Sequence, residues 1–308
     1  MAPARGIDHE RGFVEVGDRC WVARYEFLDV NVGVVAGERG LLVVDTHASE
    51  TDARRVIEHV RRLGAGEVVA VVNTHQHFDH CFGNVAFGEE YDDLAMFAHE
   101  AAASGLAVSG PALQAEALSH AESPQTDEDR DEATRRRHRD IARTRIVVPD
   151  QTFSSARAVD LGDRLVELVH PGGGHTAGDV VVVVADAQVV YAGDLVEESA
   201  IRDGVPGFGD DCFPLEWPDT LGVVAGMLVE RSVVVPGHGT PVDQDFVTDQ
   251  RGSIGAVAET IRDLAGRGVP VTEALAAAQW PYPIEQLTHA VARGYEQLPR
   301  SARTLPLA

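Results

Sequence analysis

The hexapeptide His75-Gln76-His77-Phe78-Asp79-His80 puts four potential metal ligands into six residues, directly after the strand-like run Glu67-Val68-Val69-Ala70-Val71-Val72-Asn73. Three further candidates follow, each near the end of a strand-like segment. They are His175 in Gly172-Gly173-Gly174-His175-Thr176-Ala177-Gly178-Asp179, Asp194 in Val190-Tyr191-Ala192-Gly193-Asp194, and His238 in Val235-Pro236-Gly237-His238-Gly239. Imidazole nitrogen and carboxylate oxygen suit zinc, iron or manganese, and no cysteine stands at a ligand position to favour a thiolate site. His75 and His77 are two apart, so in an extended segment their side chains leave on the same side. Asp79 and His80 come after the chain begins to turn and can reach past a first ion. One stretch can therefore serve two ions, with His175 and His238 each closing one shell and the short Asp194 carboxylate bridging. Metal lowers the pKa of bound water, so such a centre supplies hydroxide near neutral pH.

These residues resemble the ligand pattern of the metallo-β-lactamase-fold hydrolases: His-x-His-x-Asp-His, then a separate His, Asp and His, in that order. His-x-His alone is a weak signal, whereas seven matches in order are specific. The resemblance covers roughly residues 12 to 245. It implies that His75, His77 and His175 bind one divalent metal, that Asp79, His80 and His238 bind the other, and that Asp194 bridges. Zinc is the expected ion, with iron or manganese as alternatives. It also implies that Asp45, at the end of the strand Leu41-Leu42-Val43-Val44-Asp45, orients the metal loop, and that Asp79 takes part in proton transfer.

The implied fold is α/β, a four-layer αβ/βα sandwich with its site in the groove at one edge of two sheets; the residues by themselves support only α/β. The expected organisation is a catalytic domain over 12–243, with a possible lid insertion at 100–145, and a helical C-terminal extension over 244–308. The implied activity is hydrolysis of a thioester, lactone, ester or amide carbonyl by metal-bound hydroxide. The set is similar to that of hydroxyacylglutathione hydrolases. Relatives of that kind use basic residues of a C-terminal helical region for glutathione, and this chain has no lysine anywhere. The alternatives are a β-lactamase and a non-hydrolytic iron-dependent redox enzyme of the same fold. Well-known two-zinc β-lactamases replace either the bridging Asp or the residue at the His80 position, and both stand here. The redox relatives carry a fused flavin domain, for which nothing after residue 239 has the length.

The elements that must position these ligands are legible in part. Phe13-Val14-Glu15-Val16, Cys20 to Tyr25 and Val30 to Val35 read as strands separated by Gly or Asp turn signals. Ser49 and Asp52 make a capping-box-like start, Val56, Ile57, Val60 and Leu63 an apolar stripe, and Gly64 a stop. The run Glu67 to Asn73 reads as a strand covered on both faces. Residues 100 to 145 look less regular, with Ala101 to Gly105 leading into Gly110-Pro111. Thr126 to Arg139 reads as a solvated helix with Asp131–Arg135 and Glu132–Arg136 pairs. Leu165–Val169, Val180–Val184, Val189–Tyr191 and Ser232–Val235 read as strands, and Pro218–Val229 as a helix. Phe246, Val247, Ile254, Val257, Ile261 and Leu264 mark one long amphipathic helix; Val271–Gln279 and Ile284–Leu298 mark two more.

Composition bounds the partners. The formal net charge is −23, which disfavours a basic nucleic-acid face. Cys20, Cys81 and Cys212 are odd in number and widely spaced, which fits a reducing compartment. No apolar leader or membrane-length run is visible, so the expected setting is cytoplasmic, with a small-molecule substrate, no nucleic acid, no membrane, and an oligomeric state left open. Cys81 reads as a small buried space-filler rather than a reactive thiol. His9, His59, His120, His138 and His289 read as surface or hydrogen-bonding groups, and His99 and His170 carry no assignment.

Overall fold

A computed structural model describes residues 8–9, 11–123, 131–199, 201 and 203–299. Seven strands form the first sheet, in chain order: β1 (Val14–Gly17), β2 (Cys20–Arg24), β3 (Asn31–Gly37), β4 (Gly40–Val44), β5 (Val68–Val72), β6 (Ala95–His99) and β7 (Gln151–Phe153). The first four pair antiparallel and the last three join in parallel. The second sheet is ordered β12-β11-β10-β9-β8, from β8 (Ala156–Asp160), β9 (Leu165–Val169), β10 (Val181–Val184), β11 (Val189–Glu197) and β12 (Val233–His238).

Valine dominates both inner faces. Val22, Val35, Leu42, Val44 and Val72 of the first sheet meet Val166, Leu168, Val180, Val182 and Val184 from the second. β-Branched side chains suit this pleated, covered surface. The outer face of the first sheet buries Val34, Val43 and Val71 against Val56, Ile57 and Val60 of α1 (Glu50–Leu63). The outer face of the second packs Val181, Val190 and Val234 under α6 (Trp217–Met227) and α7 (Gln244–Gly266). Helix, sheet, sheet, helix is the four-layer sandwich expected from the resemblance, with C-terminal helices packed on the second half.

α1 begins as anticipated: the Ser49 hydroxyl accepts from the Asp52 amide, and Gly64 closes it at φ +66°, a conformation glycine adopts without steric cost. β5 differs in one residue: Val69 is 38% exposed, so this strand end is not covered on both faces. The stretch from 100 departs most. It is one helix, α4 (Glu100–Glu122), which runs through Gly110 and Pro111. The alanines at 101–103, 107, 112, 115, 117 and 121 are strong helix formers, and α4 pairs with α5 (Glu132–Arg143) in a helical hairpin. Residues 126–130 of the anticipated polar helix lie outside the described residues. Within α5 the expected i,i+4 pairs do not form. Asp131 instead accepts from the amides of Ala133 and Thr134 as the N-cap, and Glu132 pairs with Arg135 and Arg139. A cap satisfies otherwise unpartnered amides, which outweighs an exposed ion pair. The tail forms α7, the short α8 (Val271–Ala274) and α9 (Thr288–Gln297), where the second and third anticipated helices had been longer.

Candidate metal centre

The metal loop leaves the end of β5, turns at His77 and enters the one-turn α2 (Phe78–Cys81), which leads to α3 (Asn84–Glu90). His175 follows β9 in the glycine-rich loop, Asp194 lies within β11, and His238 ends β12. These four segments converge at one edge of the sandwich. His75, His77, His175 and Asp194 offer ligand atoms to one common space, and Asp79, His80 and His238 to a second. Asp194 joins the two: its Oδ2 is 3.8 Å from His75 Nε2, 3.4 Å from His175 Nε2 and 3.1 Å from His238 Nε2, and its Oδ1 is 3.2 Å from His80 Nε2. Asp79 Oδ2 stands 3.4 Å from His238 Nε2 and 3.7 Å from His80 Nε2. Gly237 makes room for the shared carboxylate, because a Cβ there would sit 1.8 Å from Asp194 Oδ1. A third grouping includes Glu197 with Asp194 and His238; sequence reasoning did not single out Glu197.

The donor set fits a pair of divalent ions, and the anchoring of each ring shows why. A ligating imidazole gives one nitrogen to the metal and its other N–H to a fixed acceptor. His80 Nδ1 donates to Asp45 Oδ2 at 2.9 Å, His175 Nδ1 to the Gly207 carbonyl at 2.7 Å and His238 Nδ1 to the Leu28 carbonyl at 2.7 Å. His77 Nε2 faces Asp211 Oδ2 at 3.1 Å, and His75 Nδ1 lies 3.0 Å from the Thr74 hydroxyl. The inward nitrogens face one another instead: His77 Nδ1 and His175 Nε2 at 2.8 Å, His80 Nε2 and His238 Nε2 at 3.2 Å. His75 Nε2 and Asp194 Oδ1 are buried without a hydrogen-bond partner. Unpaired buried polar atoms are costly, and a cation in that space satisfies them.

Charge follows the same division. Burial, then the neighbouring His80, pushes His75 well below the ordinary imidazole range. At His80 burial opposes protonation, but Asp194, Asp79 and Asp45 outweigh it and hold its pKa well above that range. His238 is raised to about 10, with burial overcome chiefly by Asp194 and Glu197. Burial likewise fails to raise Asp211, which its hydrogen bond to His77 brings down to about 2. Asp179 goes the other way: burial lifts it to about 7.

All seven anticipated ligands are thus brought together. Asp45 lies behind them, 2% exposed, accepting from the Thr74 amide and hydroxyl as well as from His80. Asp211 was missed; it also accepts from Gln76 Nε2 at 2.7 Å. It sits in the loop Gly207-Phe208-Gly209-Asp210-Asp211, which carries no periodic signal. His170 Nδ1 meets the Asp179 carbonyl at 2.8 Å, and its ring stacks on His99, so both brace the His175 loop. Cys81 is buried with its thiol directed at the His77 and Gln76 carbonyls and pushed well up by burial, in keeping with a space-filler. Among the ligands His77 is the most exposed, at 28%, and Asp211 beside it is at 35%. The centre therefore opens on that side.

Comparison with known proteins places this geometry in a family. Residues 25–245 match the profile of the Metallo-beta-lactamase superfamily, and the chain belongs to that superfamily. It is 24% identical over 214 residues to a metallo-beta-lactamase type 2 of Bacillus cereus, covering 70% of this chain and 68% of that one. It is 27% identical over 236 residues to the acyl-coenzyme A thioesterase MBLAC2 of Homo sapiens, covering 73% and 75%. Among solved structures, the sec-alkylsulfatase Pisa1 from Pseudomonas sp. superposes with a TM-score of 0.70 at 18% identity, over 93% of this chain. This chain spans about half the length of that sulfatase, which is covered to 50%. The metallo-beta-lactamase FIM-1 from Pseudomonas aeruginosa, in its mono-zinc form, gives 0.57 at 16% identity, over 79% of this chain and 93% of that one. These likenesses to solved structures establish the fold. The relatives are hydrolases, and the fold usually holds divalent metals, typically zinc. No described helix is long and apolar enough to cross a membrane.

Proposed function

We propose that this chain is a binuclear metallohydrolase acting on an acyl carbonyl, a thioester or ester first among them. The observation that carries the reading is the Asp194 carboxylate, within 3.8 Å of an imidazole nitrogen from each of His75, His175, His80 and His238. His75, His77 and His175 would hold one ion, Asp79, His80 and His238 the other, and Asp194 both. Two divalent ions held there supply Lewis acidity and a water that ionises near neutral pH.

The remaining work falls to the chain's own residues. Asp45 and the Gly207 and Leu28 carbonyls keep the His80, His175 and His238 rings in one tautomer and one orientation. Asp79, only partly engaged by His238 and His80, is placed to take a proton and return it to the leaving group. Substrate enters past His77 and Asp211. The α4/α5 hairpin acts as the lid. A cavity of about 280 Å³ at the hairpin is lined by Phe78, Leu113, Ala117 and Ile141 together with Glu116, His120 and His138; its apolar wall is the candidate seat for the acyl chain. The relatives include both a thioesterase and metallo-beta-lactamases; the presence of both Asp194 and His80 favours the thioester over a lactam.

The test is metal analysis followed by turnover of short- and medium-chain acyl thioesters, a homoserine lactone, a chromogenic β-lactam and an activated phosphodiester, with Asp194→Ala alongside. Asp194-dependent turnover of the thioesters, faster with the longer chain, is the expected result. Turnover of the β-lactam alone would shift the assignment to the lactamase reading. Silence across all four with two ions bound would overturn carbonyl hydrolysis.

A further inference from the structure

The second ion's histidine rests on a segment that no metal ligand belongs to. His238 Nδ1 donates to the carbonyl of Leu28, and the Gly239 amide donates to the carbonyl of Asp29 at 3.1 Å. Asn31 Nδ2 then grips both sides of the same loop, at Pro236 O (2.9 Å) and Gly239 O (2.8 Å). Leu28 to Asn31 therefore forms a strut against which Pro236–Gly239 is set. Its backbone is unusual: Leu28 and Asp29 both hold left-handed conformations, at φ +58° and +59°. Side chains with a Cβ rarely adopt this region, and two in succession persist only where surrounding contacts force them.

Those contacts converge on one carboxylate. Asp29 is 2% exposed. Arg24 grips it through Nε at Oδ1 and through Nη2 at Oδ2, the latter at 2.8 Å. His9 Nε2 lies 2.7 Å from Oδ1, and the Ser199 hydroxyl donates to Oδ2 at 2.8 Å. Ser199 follows β11, which carries Asp194, so the clamp ties three segments around the second ion's side of the centre. A two-pronged guanidinium–carboxylate pair fixes geometry as well as charge.

We propose that Asp29, clamped by Arg24 and Ser199, is a positioning residue for the second metal site: it holds the strained Leu28–Asp29 turn whose carbonyl fixes the tautomer and direction of His238. The effect runs through one carbonyl to one ring. It falls on the Asp79/His80/His238 ion and spares the ion at His75, His77 and His175, whose rings are anchored by Thr74, Asp211 and Gly207. The inference rests on the two-ion reading above.

The test is titration of the metal-free full-length chain with Co²⁺ and with Zn²⁺ against a chelator, following stoichiometry and the Co²⁺ visible spectrum. Wild type is expected to take up two ions. Asp29→Ala is expected to bind the first as wild type does and the second roughly tenfold more weakly or worse, the scale seen when a ligand's supporting partner is removed. The spectrum of its one-ion form should match that of His238→Ala, which removes the second-site ligand directly. A general loosening of the fold would instead weaken both ions together, and that outcome overturns the proposal, as does wild-type affinity at both sites. Should Asp29→Ala fail to fold, Ser199→Ala removes one bond from the clamp and Arg24→Gln the two-pronged pair, and each should weaken the second ion selectively; unchanged second-ion affinity in both would also overturn it. A wild-type chain that holds only one ion overturns the two-ion reading itself, and this inference with it.

Discussion

Asp45→Asn isolates a single hydrogen bond at the centre. The carboxylate accepts from the Thr74 amide through Oδ1 at 2.7 Å, and from the Thr74 hydroxyl and His80 Nδ1 through Oδ2 at 2.8 and 2.9 Å. An amide in the same place has one oxygen and one NH₂. If the oxygen keeps the Thr74 amide, the NH₂ faces the His80 N–H; flipped, it faces the Thr74 N–H. One donor loses its acceptor either way, with His80 wholly buried and Asp45 nearly so, leaving no water to replace it. A hydrogen bond to a charged group contributes about 1.5–3 kcal/mol, and about 1.4 kcal/mol is a factor of ten in affinity. His80 can escape by moving its proton to Nε2, but that nitrogen is then lost as a ligand. With the amide oxygen kept on Thr74, both routes give a roughly ten- to hundredfold loss of affinity for the second ion, the range found for outer partners of metal-bound histidines. Chelator competition on Asp45→Asn, with metal counted at each step, measures this. A variant that keeps two ions at wild-type affinity would refute the claim that Asp45 orients His80.

Two further substitutions test the packing and the charge around the site. Gly83→Ala places a Cβ 1.9 Å from the Thr46 carbonyl oxygen and 2.6 Å from the Ala53 Cβ; the backbone must move, and thermal unfolding should show a loss of about 1–3 kcal/mol or more. Asp179→Asn concerns a carboxyl lifted by burial from 3.8 to about 7. A folded-state pKa above the unfolded one stabilises at low pH, and that stability is lost as pH rises from about 4 through about 7. The amide cannot ionise and still pairs with Thr176, so in chelator-treated protein the Asp179→Asn variant should gain stability relative to wild type between pH 5 and pH 8. Parallel pH–stability curves for the two would refute the buried neutral carboxyl.

The ligands were legible because metal chemistry restricts residue type and the loop geometry restricts spacing: His75, His77, Asp79 and His80 are a local pattern, and His175, Asp194 and His238 each stand in a glycine-bearing segment beside an apolar run. The valine-rich runs gave the strands for the same reason, since period and branching are local properties. What supports the ligands was not legible. Gly207 and Leu28 act through backbone carbonyls, which any residue type possesses. Asp211 sits in a loop without periodicity, and Asp29 matters only because Arg24 and Ser199 meet it from other elements. Helix α4 was obscured by Pro111, whose local penalty is offset by the alanines around it and by packing on α5. The Asp131–Arg135 pair failed because a cap competes for the same carboxylate, a choice that spacing alone does not decide.

The charge count of the centre argues for what it holds. Asp45, Asp79, Asp194, Glu197 and Asp211 bring five carboxylates to one small region, four of them buried and Asp211 partly so. Buried charge without compensation is strongly destabilising, and among the described residues no arginine side chain is hydrogen-bonded to any of the four aspartates. Compensation must come from the imidazoles or from bound cations. Without metal, protons do the work: His80 and His238 are held above their ordinary range by those same carboxylates. Two divalent ions bring four positive charges, which offset most of this negative charge with every imidazole neutral, the form in which histidine ligates. Metal uptake should then release protons, chiefly from the second site, where the carboxylates hold them most tightly. Removal of metal should leave a centre that is folded yet proton-loaded. The acidity of this region is what suits it to cations, whereas the −23 of the whole chain says little about the substrate.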